Sequence, residues 1–368
     1  MGGDAFPDTE RLSRKEYDRK CQELGEVLTS LGLKYGFPAE VADKAEICQE
    51  RGKKDPYGDI DVIIGLDDES RKDELVQTLT NVLGTSGCQN VKNSPTYSVL
   101  SPEKYQIDLM FCKEPNLDFI VAFKSNNDFG ALLGHLLTPL KMKWTEEGLF
   151  LKLEVEKKEH LRDQMLLTID LGEVCSVLGL PRYCLDGKTR LTSTEVFEVL
   201  TKSKVFFAAD YDEKYKIRER RKERPVSDVF FTLLEQKSMT DLEAARRKMY
   251  ENDEVEELFR KFKTKSIDYR QYVERLGECL GKREEVLRKL EALNESKKVQ
   301  GLSNEKFNFQ ILCSWLPDLE HNTVGKVMGK LKSKHSGSGP RSFDEWIGST
   351  DVKDIKLEVE HCKSLIIK

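Results

Sequence analysis

The sequence predicts an α+β protein in which a small strand-rich region is followed by a short hairpin system and a long helical region. Three observations predict it. Between residues 57 and 123, short apolar runs with two-residue alternation are bounded by turn residues, as half-buried strands are. One helical stretch interrupts them in a strand–helix–strand–strand order, which suggests a small sheet with helices on one face. Beyond residue 191, apolar residues recur at helical spacing through most of the chain.

The elements follow in order. Residues 9–34 read as a helix, with Leu12, Tyr17, Cys21, Leu24, Val27, Leu28 and Leu31 at helical spacing, and "YGFPAE" breaks it. "GDIDVIIGL" is the first strand. "DDESRKDELVQTLTNVLGTSG" is a helix whose acidic start suits its positive end. "TYSVLS", "YQIDLMFC" and "DFIVAF" read as further strands. "DFGALLGHLLTPLKM" is a helix for which Asp128 offers an N-cap, with His135 as a packed histidine on an apolar helix. "KWTEEGLFLKLEVEKK" and "MLLTID" form the hairpin system, and "LGEVCSVLGLP" is a short helix ending at Pro181. "STEVFEVLTKSKVFF", "RPVSDVFFTLLEQ", "DLEAARRKMYENDEVEELFRKFKT" and "DYRQYVERLGECLGKREEVLRKLEALNE" are helical, and a Gly-Ser-Pro loop lies near 335–342.

The chain has 368 residues, enough for two or three domains. Its 60 basic and 65 acidic residues give a net charge of -5, which excludes a globally basic nucleic-acid binder but not a local basic surface. Nine cysteines without CxxC spacing point to reduced, partly buried thiols, and the five scattered histidines argue against a zinc site. No stretch reaches the ~18 apolar residues of a membrane helix. The N-terminus has neither a secretory nor an Arg-rich mitochondrial pattern, so cytosol or nucleus is the expected compartment.

The chemistry concentrates in "KKDPYGDIDVIIG". Successive strand residues face opposite ways, so Asp59 and Asp61 share one face while Ile60, Val62 and Ile64 occupy the other. Two carboxylates side by side at a sheet edge repel unless a cation joins them, and oxygen ligands suit a hard divalent ion. In "YQIDLMF", Asp108 lies opposite Ile107, Leu109 and Phe111. If that strand lies beside the first, three carboxylates converge, the minimum for two metal ions in phosphoryl transfer.

These residues resemble the palm of the DNA polymerase beta superfamily of nucleotidyltransferases, the family X polymerases being similar through "GSxRRG…GDxDxLI". A second block, "KMKWTEEGLFLKL…LLTIDLGEVCSVLGLP", is similar to their thumb, with Glu147, Gly148, Leu149 and Phe150 matching one motif and Leu178, Gly179, Leu180 and Pro181 the other. The helical half resembles extensions of eukaryotic members of the superfamily, and "LEHNTVGKVMGKLKSK" is faintly similar to C-terminal helices of CCA-adding enzymes.

The resemblance implies a polymerase-beta-like palm over 46–135 after an N-terminal helical segment, 1–45. A thumb-like module, 136–190, and a helical C-terminal domain, 191–368, would follow. It implies a metal-dependent transferase adding nucleotides from NTPs to a nucleic-acid 3′ end, RNA or DNA, with template-independent addition, on RNA, favoured over templated gap filling. Asp59, Asp61 and Asp108 would be the catalytic residues and hold two Mg²⁺ or Mn²⁺ ions. Arg51, Lys53, Lys54 and Gly58 would serve the triphosphate, and Lys124, Asn126, Asn127 and Phe129 the sugar and base. Lys214, Lys216, Arg218, Arg220 and Arg221, in "KYKIRERRKERP", are candidates for gripping a primer's phosphates, the alternative being a solvated helix face. The sequence departs from the family where Ile47-Cys48 stands for Gly-Ser. That departure keeps two alternatives open, a degenerate nucleotide or RNA binder and a transferase acting on a protein or small molecule.

Overall fold

The computed structural model describes residues 5–50, 57–85, 87–90, 96–126, 128–154, 162–207, 210–211, 224–336 and 343–367. Contacts divide the chain into two units, Met1–Lys152 with Met165–Arg283, and Leu153–Gln164 with Glu284–Lys368. The fold is α+β, as the sequence predicts.

In the first unit, helix α1 (Arg14–Ser30) opens with a capping box in which Ser13 and Glu16 satisfy each other's backbone N–H groups. Five strands follow, β1 (Lys34–Gly36), β2 (Asp59–Leu66), β3 (Gly87–Asn90), β4 (Thr96–Leu100) and β5 (Gln106–Lys113). They form one sheet in the order β1-β2-β5-β4-β3. Within it β2 and β5 run parallel, while β1, β3 and β4 are joined antiparallel. Helix α2 (Lys44–Glu50) precedes β2, and helix α3 (Lys72–Val82) follows it.

The sheet has helices on both faces rather than one. Ile60, Val62 and Ile64 pack with Tyr17, Leu24 and Leu28 of α1 and Leu79 of α3. On the opposite face, Ile63 packs with Leu117 and Val121 of helix α4 (Leu117–Lys124). This helix is "DFIVAF", the expected strand. A short apolar run without strict alternation fits a buried helix as well as a strand. Here Pro115 starts a helical turn, and Asp118 and Lys124 match the charges of the helix ends.

Val121 is held between two glycines. A Cβ on Gly36 would lie 2.4 Å from its Cγ2, and one on Gly187 would lie 2.8 Å from its Cγ1. A β-branched side chain on a helix has little rotamer freedom to yield. We therefore expect Gly36→Ala to destabilise this unit by roughly 1–3 kcal/mol, read as a lowered denaturation midpoint.

Helix α5 (Phe129–Leu137) leads to a three-stranded sheet of β6 (Met142–Thr145), β7 (Gly148–Glu154) and β8 (Arg162–Thr168), the expected hairpin system. Helix α6 (Leu171–Leu178) ends at Gly179, whose left-handed φ of +68° forms the C-cap. The unit continues through α7 (Ser193–Lys202), α8 (Pro225–Gln236), α9 (Met239–Met249), α10 (Glu254–Lys263) and α11 (Tyr269–Cys279). "DLEAARRKMYENDEVEELFRKFKT" is thus two helices, parted where Asn252 takes a φ of +73° and Asp253 caps α10.

In the second unit, helices α12 (Arg283–Lys306) to α16 (Val352–Ile366) include a core of Leu312, Val324, Val327, Leu331, Ile347 and Ile355. Among the described residues, no helix is long and apolar enough to cross a membrane. All nine cysteines are free thiols, four of them buried.

Candidate metal centre

Asp59 and Asp61 stand at the start of β2, and Asp108 near the start of β5. The two strands run parallel in a register that sets Asp61 opposite Asp108 and Asp59 opposite Gln106. Side chains facing one another across parallel strands point to the same face of the sheet. One ligand oxygen from each of the three carboxylates therefore falls within 4.8 Å of the others. The acids do not sit at a sheet edge as expected, because β2 lies between β1 and β5. However, β1 pairs only with Ile63–Gly65, leaving Asp59 and Asp61 beyond its end. The same strand face turns fully apolar at Ile63, where α4 covers it.

The electrostatics fit a cation. Burial, followed by the charges of Asp59, Asp108 and Glu40, pushes the Asp61 carboxyl up to about 8, and Lys124 opposes this. A set made only of carboxylate oxygens suits a hard ion such as Mg²⁺ or Mn²⁺.

A polar wall not foreseen from the sequence stands beside the triad. Lys44 Nζ reaches Glu40 Oε2 at 2.8 Å and lies 4.7 Å from the ring centre of Tyr57. Burial works against the Lys44 charge, but Glu40, and after it Tyr57 and Asp59, hold its pKa above the ordinary value. The Glu40 segment is stapled down, with Ala39 N–H donating to Ser125 Oγ at 2.9 Å and Ala42 N–H to the Leu191 carbonyl at 2.8 Å. Ser98 and Gln106 donate to Asp108 Oδ1 at 2.7 and 2.8 Å. Gln106 was legible in principle, since it precedes Asp108 by two residues and shares its face. Ser98 meets Asp108 only through the β4–β5 register.

The other expected site residues divide three ways. Gly58 is buried at the entry to β2. Lys124, in the last turn of α4, pairs with Glu146 at 2.5 Å and acts electrostatically on Asp61. Asn126 and Phe129, expected at the sugar and base, are each 1% exposed, with their side chains engaged within the fold. Asn126, at a φ of +57°, accepts from Leu191 N–H at 2.9 Å and donates to the Thr189 carbonyl at 3.2 Å. Phe129 sits inside α5 and presents no free ring face for stacking. Arg51, Lys53, Lys54, Asn127, Lys214, Lys216, Arg218, Arg220 and Arg221 lie outside the described residues.

Two neighbours also differ from expectation or complete it. Asp128 does not cap its own helix. Its carboxylate accepts from Ser227 N–H and Oγ, each at 3.2 Å, at the start of α8, and pairs with Arg224 at 3.2 Å. His135 is half-buried, its Nε2 meeting the Asp210 carbonyl and its ring lying 5.2 Å from that of Tyr211. No protein-family model matches the chain, and no curated protein matches it.

Proposed function

We propose that this chain is a metal-dependent nucleotidyltransferase with a polymerase-beta-like palm, adding nucleotides from NTPs to a nucleic-acid 3′ end. The observation that carries the reading is the convergence of Asp59, Asp61 and Asp108, within 4.8 Å, on one face of a parallel strand pair. Asp59 and Asp61 would hold two Mg²⁺ or Mn²⁺ ions, with Asp108 completing the site of one. When bound, such ions offset charge on the transferred phosphoryl group and acidify the attacking hydroxyl. Asp108 helps to draw the proton from the 3′-hydroxyl, whose oxygen bonds to the α-phosphorus as pyrophosphate leaves. Arg51, Lys53 and Lys54 meet the anionic triphosphate, while Lys44 and Lys124 lie within electrostatic reach of the triad. The basic run from Lys214 to Arg221 takes the phosphates of the acceptor, an RNA or DNA 3′ end. Nine free thiols suit a reducing cytosol or nucleus.

One observation favours a second reading. Ile47 and Cys48, standing for the family's Gly-Ser, turn buried side chains inward from α2 and offer no hydroxyl to a phosphate. A binder of nucleotide or RNA without turnover keeps the acids but has lost that grip.

The test is extension of a labelled single-stranded RNA or DNA primer with each NTP and Mg²⁺ or Mn²⁺. We expect extension by the wild type and at least a ~10³-fold loss in Asp59→Ala/Asp61→Ala, as removal of the metal-holding carboxylates implies. Folded protein that extends no primer overturns transfer to nucleic acid. NTP binding without product then selects the degenerate binder, and primer-independent release of pyrophosphate selects a protein or small-molecule acceptor.

A further inference from the structure

Asp108 is held through one oxygen by two donors. Ser98 Oγ lies 2.7 Å and Gln106 Nε2 2.8 Å from its Oδ1. Both donors are buried, at 1% and 3% exposure, on the strand facing Asp108 and on its own strand. The orientation of the Gln106 amide is fixed at both ends, since a carboxylate accepts only from its NH₂ group. The Ala5 backbone N–H, which can only donate, holds Gln106 Oε1 at 3.0 Å, so the NH₂ end faces Asp108.

Ala5 is itself anchored. Phe6 is buried, and a Cβ on Gly87 of β3 would lie 3.2 Å from its ring. Glu10 N–H donates to the Lys104 carbonyl at 2.7 Å, just before β5, and Leu12 N–H to the Tyr57 carbonyl at 2.8 Å, just before β2. The segment from Ala5 to Leu12 thus touches the chain at the strand ends that carry the acids.

We infer that Ser98 and Gln106 are positioning residues of the metal centre: they occupy Asp108 Oδ1 and leave Oδ2 as the oxygen that ligates. The N-terminal segment sets the Gln106 amide that does this. The inference rests on the proposed function, in which Asp108 is a metal ligand. Hydrogen bonds to a ligating carboxylate orient it, and their loss lowers metal affinity by about 10–100-fold. Charge-assisted bonds of this length also keep Oδ1 from rotating into the ligand position.

The experiment is a Mn²⁺ titration of the full chain, followed by the electron paramagnetic resonance of the free ion. Wild type, Ser98→Ala, Ser98→Thr, Gln106→Met and Asp61→Asn are compared, each shown to be folded by circular dichroism. We expect Ser98→Ala and Gln106→Met to bind Mn²⁺ about 10–100-fold more weakly, Ser98→Thr to keep most of the affinity, and Asp61→Asn to lose it. Ser98→Ala and Gln106→Met binding within about twofold of wild type overturns the positioning role and leaves the metal centre standing. Wild type that binds no Mn²⁺ overturns both. If Gln106→Met does not fold, Ser98→Ala, which deletes one oxygen only, decides alone.

Discussion

Asp61→Asn is expected to melt at a higher temperature than wild type near pH 8 without added metal, and the difference should close as the pH falls. The Asp61 carboxyl is raised from 3.8 to about 8 in the fold, through burial first and the charges of Asp59, Asp108 and Glu40 second. An acid that holds its proton more tightly when folded contributes stability fully present below the unfolded pKa. That contribution is lost as the pH rises through the folded one. Asparagine copies the neutral form and carries no such loss. Each tenfold change in proton affinity corresponds to ~1.4 kcal/mol, and solvent on the open side screens part of the effect, so we expect a difference of roughly 3 kcal/mol near pH 8. Mg²⁺ should recover the wild type at that pH and leave the variant unchanged, because only the charged triad gains from the ion. Thermal melts across pH with and without Mg²⁺ check this. Curves for the two chains that stay parallel at every pH would show that Asp61 is not the strained carboxylate.

Glu256→Ala is expected to destabilise the first unit by about 3–5 kcal/mol, because it leaves a buried guanidinium without its counter-charge. Arg246 of α9 is 1% exposed, and its Nη1 meets Glu256 Oε1 of α10 at 2.7 Å. Its remaining contacts are weaker in charge: the Lys204 carbonyl at 3.2 Å and the face of Phe207 at 4.8 Å. Among the described residues its buried Nε has no hydrogen-bond partner, so little else there can take up the loss. Removing both charges in Arg246→Met/Glu256→Leu should recover most of the stability, since a desolvated pair is costly to half-empty but not to replace. Denaturant titrations of the three variants separate these cases. A Glu256→Ala midpoint equal to wild type would mean that water reaches Arg246.

Several features were legible in the residues themselves. The spacing of Asp59 and Asp61 against Ile60, Val62 and Ile64 assigns the acids to one strand face, and Asp108 reads the same way against Ile107 and Leu109. The caps at Ser13, Gly179 and Asp253 are local too, but the sequence reading missed them, starting the first helix at residue 9 and joining the two helices that Asp253 separates. "DFIVAF" was not legible, because its apolar run suits either element and the choice depends on what it covers, here Ile63 and its neighbours. Asn126 and Phe129 looked like ligand contacts in a polar loop, yet the fold uses them to tie down Leu191 and fill α5.

The sequence by itself determined which acids face together along each strand, since alternation is a property of neighbouring residues. Only the tertiary structure decided that β2 lies parallel to β5 with Asp61 opposite Asp108. It alone brought Ser98, Glu40 and Lys44 to the same place. Strand register is chosen by packing both sheet faces against α1, α3 and α4, contacts between segments far apart in the chain that no local pattern encodes.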